Sequence, residues 1–254
     1  MNSLTITVIV LVCLSGGAML GIALRACLPK HHLTSESTDA IKLATGLMAT
    51  LAALVLGLLI SAANTERTTV QNAYMTGLTN VATLDRHLAE YGTETQQARA
   101  LLRHALVRRF QAIWPSEDFG PQEPANGDDI NAIESMEHEL LKLSPANDSQ
   151  KWLLPQALQA TNNLEQVRWG LMSRGAGFTL PVPFLIVLVC WSTAIFISFG
   201  LLARPNITVL VSLLIAALAV SAAIFLILDL SNPFAGLMQV SSAPAHVMLD
   251  ALGK

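Results

Sequence analysis

Residues 43–63, LATGLMATLAALVLGLLISAA, carry no charged side chain and no proline. At 1.5 Å per residue a helix of this length covers the roughly 30 Å of hydrocarbon in a bilayer. Three further runs, 4–24, 181–203 and 207–228, are equally free of charge. The four runs sit in pairs at the two ends of a 254-residue chain, on either side of a polar middle. The fold class expected is therefore all-α: a polytopic membrane protein with two transmembrane hairpins and a helical extramembrane domain between helices 2 and 3.

Composition agrees. Hydrophobic residues make up 52% of the chain and charged residues 13%, about half the charged share of an average soluble domain. Most charges fall between Glu66 and Arg174. The domain boundaries expected are 1–64 for the first hairpin, 65–180 for the extramembrane domain, 181–228 for the second hairpin and 229–254 for a tail. A net charge of −3 offers no basic excess for gripping nucleic acid, so that partner is set aside. The first run is preceded by no Lys or Arg and is long for a signal core, which reads as a retained helix. Cys13, Cys27 and Cys190 lie in or beside the spans, without CxxC spacing, and read as packing residues.

Four crossings put both termini and the middle domain on one side. Arg25, Lys30, Lys42 and Arg204 flank the short connections, while Arg67, Arg168 and Arg174 flank the middle domain. Four against three leans toward cytoplasmic short loops and an outward-facing middle domain.

No glycine or proline interrupts 58–76 or 78–91, so the second crossing is expected to run on as one rod from Leu43 to Tyr91, roughly 73 Å long at the α-helical rise. Leu78, Val81, Leu84, Leu88 and Tyr91 form its apolar stripe. Gly92 ends it, and Thr93 with Gln96 three positions on resembles a capping box. The next helix presents Ala98, Leu101, Leu102, Ala105, Leu106, Phe110 and Ile113 on one face and stops at Pro115. After a loop bearing Gly120, Pro121, Pro124 and Gly127, helical spacing resumes with Ile130, Ile133, Met136, Leu140 and Leu141. Ser144 before Pro145 predicts a last extramembrane helix to about Ser173, with Pro155 marking a bend or a later start.

No catalytic constellation is assembled by these residues: HExxH, GxSxG, GxxxxGK(S/T) and GxGxxG are all absent, so the chain is read as no enzyme, with no catalytic residues, no metal site and no cofactor. The adjacent His31 and His32 sit in a short hydrophilic connection and read as solvated loop residues. No Asp, Glu, Lys or Arg lies inside the four spans, which argues against a proton relay or an ion-coupled transporter. Asp229, just past the fourth span, is expected to stay hydrated at a helix end.

One face of the second span is small or weakly polar from end to end: Gly46, Thr50, Ala53, Gly57 and Asn64. Such a face lines a narrow conduit or lets another helix approach closely, and both readings stand. Outside the membrane, ARALLRHALVRRF places Arg99, Arg103, Arg108 and Arg109 within a few turns. They form a vestibule that concentrates anions, or they pair with the acids of 110–141, among them Asp128, Asp129, Glu134, Glu137 and Glu139. The tail from Asp229, with Leu237, Met238, Val240, Val247, Met248 and Leu252, is too apolar to hang free and is expected to dock.

The order of these features resembles the bacterial bestrophin-like membrane proteins. LPKHHLTSEST leading into IKLATGLMATLAALVLGLLISAAN, then LDRHLAEYGTETQQARALLRHALVRRFQAIWP, and finally AIFLILDLSNPFAGLMQVSSAPAHVMLDAL carry the match. The resemblance implies distant similarity to bestrophins, homopentameric anion channels whose second membrane helix lines the pore and whose extramembrane helices enclose a cytosolic cavity. It implies a homo-oligomer, a pentamer if the likeness extends so far, in the lipid of a bacterial inner membrane, with chloride or another small anion as permeant partner. It also places the middle domain in the cytosol, opposite to the charge count. Asn232, Pro233 and Phe234 look like the turn that follows the fourth helix of bestrophins.

Two departures stand out. The second span has no aromatic gate, with Leu47, Leu54 and Leu58 its bulky alternatives, and AGLMQVSS replaces the acidic run that follows this turn in animal members. Calcium gating therefore does not carry over. The rival reading is a non-conducting membrane scaffold or sensor whose helical domain binds a partner.

Overall fold

The computed structural model describes residues 3–29, 34–120, 132–174, 182–203, 206–234 and 236–252. His31, His32, Pro121, Pro124, Gly127, Asp128, Asp129, Ile130, Lys30 and Arg204 lie outside them. The elements are α1 (Ser3–Cys27), α2 (Ser35–Tyr91), a single 3-10 turn (Thr93–Thr95), α3 (Gln96–Ile113), α4 (Ala132–Leu141), α5 (Asp148–Arg174), α6 (Val182–Leu202), α7 (Ile207–Leu230) and α8 (Ala243–Ala251). Among the described residues there is no strand. Four helices, α1, α2, α6 and α7, are long and apolar enough to cross a membrane. The all-α, four-span reading of the sequence holds.

Backbone contacts divide the chain into two compact units, Met1–Arg67 with Gly177–Met238, and Thr68–Ala176 with Gln239–Lys254. In the first, α1 packs most closely on α6 and next on α7. Val10, Leu14 and Ala18 of α1 meet Leu188 and Phe196 of α6 and Ala217 and Ile224 of α7 in one apolar core. From α2, Leu56 and Leu59 pack against that core and against a second cluster of Ala63, Ile227 and Leu230. Between apolar helices in lipid there is no water to expel, so fit must supply the attraction. Gly21 and Gly200 provide it. A Cβ at Gly21 would overlap the Ile197 carbonyl oxygen, and one at Gly200 would overlap the carbonyl oxygen of Ala18.

At the end of this crossing the Arg25 guanidinium donates to the carbonyl oxygens of Leu201 (3.2 Å) and Leu202 (2.5 Å). These belong to the last turn of α6, where carbonyls lack helical partners, so a residue counted for topology also caps a helix.

The second unit is built like a water-soluble bundle. Val70, Tyr74, Leu78, Val81, Leu84, Leu88 and Tyr91 form a buried stripe along the outer half of α2, and each large apolar side chain buried there contributes about 1.5–3 kcal/mol. α3 packs on α4 and α4 on α5, with Met136, Leu140 and Leu153 buried. Tyr74, Phe110, Trp114 and Phe119 form an aromatic group with ring centroids 5.6–6.3 Å apart.

α2 starts at Ser35, eight residues before the span itself, and runs 57 residues, about 86 Å at 1.5 Å per residue. It ends where expected, before Gly92 at φ +133°, a backbone region that favours glycine. The capping box at Thr93 and Gln96 is not formed. Thr95 precedes α3 instead, and its hydroxyl turns back to donate to the carbonyl oxygens of Leu88 (2.5 Å) and Gly92 (2.7 Å). Likewise α5 starts at Asp148 and not at Pro145, because the Asn147 side chain accepts from the backbone N–H of Gln150 at 2.8 Å and caps the first turn. Pro155 lies inside the helix, where it forgoes one backbone hydrogen bond without ending the run.

Candidate functional site

In the first unit α2 presents three sectors. Thr45, Ala52 and Ala63 are buried and form its packed side. Gly46, Thr50, Ala53, Gly57 and Asn64 are all exposed, and beyond the adjoining turns of the helix itself no atom comes within 4 Å of a Cβ built on Gly46 or Gly57. Beside this small face runs a stripe of exposed leucines, Leu43, Leu47, Leu51, Leu54 and Leu58, at steps of three and four. The Thr50 hydroxyl donates to the Gly46 carbonyl oxygen at 2.9 Å. Its proton is thus spent within the helix, which lets the hydroxyl sit at an apolar depth while its oxygen faces outward.

The contrast with α1 is informative. Small residues four apart also occur there, Gly17 and Gly21 in GAMLG, and both are buried against α6, Gly17 beside Thr193 and Gly21 beside Gly200. Within one chain, then, close helix packing takes up Gly17 and Gly21 of α1 and leaves Gly46 and Gly57 of α2 open, as it does Gly16 of α1.

The turn after α7 is organised by a residue the sequence reading placed in water. Asp229 is 3% exposed, and its carboxylate accepts from the backbone N–H groups of Leu237 (3.2 Å) and Met238 (3.1 Å). Two N–H donors replace the hydration it gives up. Gly236, at φ +107°, passes so close to this carboxylate that a side chain would strike it. Within the loop so closed, Asn232 donates to the Leu228 carbonyl oxygen at 2.9 Å, and Pro233 and Phe234 follow in the turn. The Arg67 side chain donates to the carbonyl oxygen of Met238 at 3.1 Å.

In the second unit the four arginines of α3 are in different states. Arg99 forms two hydrogen bonds with Asp85 of α2, 2.7 and 3.0 Å long, and this hydrogen-bonded carboxylate holds the guanidinium proton more tightly than usual. Arg103 is exposed and donates to the carbonyl oxygen of Leu252, just after α8, at 3.2 Å. Arg108 is half-buried and Arg109 exposed. The acid that meets Arg99 comes from α2, not from 110–141. From that segment Glu139 pairs with Lys142, and Glu117 turns to the tail, accepting from the Ser242 hydroxyl (2.8 Å) and pairing with His246 Nε2 (2.9 Å). The two contacts hold the Glu117 carboxyl below its ordinary range, the His246 hydrogen bond most. Phe119 stacks on the His246 ring, with centroids 4.3 Å apart. Among the described residues no three His, Cys, Asp or Glu side chains converge as metal ligands do.

Four helices long and apolar enough to cross a membrane, in a chain whose described residues hold no strand, define a polytopic all-α membrane protein. The chain belongs to the Bestrophin-like domain family, which matches it over residues 12–245. None of the curated proteins matches it in sequence. Among solved structures, a bacterial bestrophin homologue from Klebsiella pneumoniae resembles it at a TM-score of 0.70 with 13% identity, covering 96% of each chain. Two point variants of that homologue also score 0.70, one at 14% identity over 97% of this chain and 98% of that one, the other at 15% over 96% and 97%. At such identities the likeness is one of fold.

Proposed function

We propose that copies of this chain form a ring in a bacterial inner membrane, with α2 beside a shared axis through which small anions such as chloride pass passively. The observation that carries this reading is the open face of α2. Gly46, Thr50, Ala53, Gly57 and Asn64 are exposed in the single chain along the whole length of the span, whereas Gly17 and Gly21 of α1 are packed against α6. Lipid gains nothing from glycine, threonine and asparagine, whereas a narrow aqueous path gains room and hydrogen-bonding groups. The neighbouring leucine stripe supplies the apolar surface that a second copy or lipid would cover. Without a charged group in the spans, the path would be passive. Arg103 and Arg109 on the exposed side of α3 would raise the local anion concentration outside the membrane.

The test is chloride flux from liposomes holding the purified protein. Flux above that of empty vesicles, altered by Thr50→Phe or Gly57→Phe, supports conduction. Flux no greater than that of empty vesicles across pH, voltage and calcium favours a non-conducting scaffold or sensor.

A further inference from the structure

The short helix α8 joins the arginine face and the Glu117 cluster. It spans nine residues, too few to hold helical structure in water unaided, so its order depends on docking. The docked helix buries Ala245 and Leu249, and Leu252 beyond it. Its two ends are held by groups of opposite charge. At the N-terminal end Glu117 takes hydrogen bonds from Ser242 and His246; at the C-terminal end Arg103 meets the Leu252 carbonyl oxygen. The carboxylate stands at the end where the helix dipole carries roughly half a positive charge, and Leu252, one residue past the helix, is on extended backbone.

We propose that α8 is a detachable internal counter-ion: docked, it holds the carbonyl of Leu252, the residue that follows it, on Arg103, and small inorganic anions compete with that carbonyl for the guanidinium. The proposal rests on reading the arginine face of α3 as anion-attracting and adds how that face is regulated. Arg99 cannot play this part, because a carboxylate holds it through two hydrogen bonds. Arg103 has a neutral carbonyl as its partner, and an anion is the stronger partner for a guanidinium. Anion binding at Arg103 removes the clamp at one end of α8 and leaves Glu117 holding the other. Conversely, loss of the Glu117 contacts frees the helix and takes the Leu252 carbonyl away from Arg103.

Amide hydrogen exchange on the full-length protein in detergent tests this, with chloride substituted stepwise for gluconate at constant ionic strength. In the wild-type protein, exchange across 243–251 is expected to rise severalfold with chloride, while α4 and α5 stay unchanged. Arg103→Gln should abolish the chloride dependence, and Glu117→Gln should raise exchange of α8 at every chloride concentration. Exchange of wild-type α8 that does not respond to chloride overturns the proposal even if both variants fail to fold. So does a chloride response that survives Arg103→Gln. Flux measurements report separately on conduction: their failure would remove the channel and leave the chloride response of α8 to decide the counter-ion role.

Discussion

Gly21 of α1 and Gly200 of α6 meet backbone to backbone: a Cβ on Gly21 would stand 3.0 Å from the Cα of Gly200 and 2.9 Å from the backbone nitrogen of Leu201. Neither neighbour is a flexible side chain, so the helices themselves must separate to admit a methyl group. Gly21→Ala or Gly200→Ala is expected to destabilise the membrane unit by about 1–3 kcal/mol, the range for overpacked cores. At Gly57, where an added Cβ meets nothing within 4 Å, alanine should be neutral or stabilise the helix by up to about 1 kcal/mol. Thermal unfolding in detergent compares them. Loss of oligomer in Gly57→Ala would show that another copy packs tightly on this face.

Asp85 and Arg99 tie α2 to α3 with side chains 13% and 22% exposed. Hydrogen bonds to charged partners contribute about 1.5–3 kcal/mol, more than the surface pairs Lys42–Asp39 and Lys151–Asp148 can. Asp85→Ala should therefore lower the melting temperature clearly, and the double variant with Arg99→Ala should lower it by less than the sum of the single effects. Additive losses would mean that the two side chains do not depend on each other.

The docking of α8 should be sensitive to acid. Its carboxylate partner, Glu117, has a pKa below the ordinary 4.5. A depressed carboxylate pKa contributes stability that is fully present above the unfolded-state value and is lost as pH falls through the folded one. Protection of 243–251 from hydrogen exchange, corrected for the intrinsic rate, should be lost progressively below about pH 4.5 in the wild-type protein. In Glu117→Gln this acid-dependent loss should be absent. A decline that persists in the variant would assign the acid sensitivity to another group.

The architecture was legible in the sequence because lipid imposes a simple rule, long charge-free runs, and because Gly92 and Pro115 stop their helices by backbone geometry alone. Caps were less legible. Thr93 and Thr95 both fit a helix start by composition, and the outcome turned on which hydroxyl could reach back to Leu88. Asp229 was misread as solvated because its partners, Leu237 and Met238, offer backbone N–H groups that no side-chain pattern reveals. The Glu117–His246 contact joins residues 129 apart, beyond the reach of local periodicity. The GAMLG spacing in α1 was available as a signal, since it repeats the small-residue pattern of α2.

The turn after α7 gives a sharper stability test. Gly236 combines φ +107° with the near contact of Asp229, so Gly236→Ala is strained both in its backbone and in its space. A left-handed position costs a non-glycine residue roughly 1–2 kcal/mol before any clash. Asp229→Ala should loosen the same turn by leaving two N–H groups without acceptors. Both variants should raise hydrogen exchange at 236–238 while leaving α3 to α5 unchanged. Unaltered exchange at 236–238 in Asp229→Ala would remove the carboxylate from this role.

Cysteine accessibility decides whether the small face of α2 borders water at the axis of an assembly. The native Cys13, Cys27 and Cys190 are exposed and are first replaced by serine or alanine. Single cysteines are then placed along α2 in protein reconstituted in liposomes. Cysteines at Gly46, Thr50, Ala53, Gly57 and Asn64 should react with a membrane-impermeant, water-soluble thiol reagent and reduce chloride flux, whereas those at Leu47, Leu54 and Leu58 should be inert. Reaction along the leucine stripe with none along the small face, or modification of the small face that leaves chloride flux unchanged, would contradict that placement of the small face.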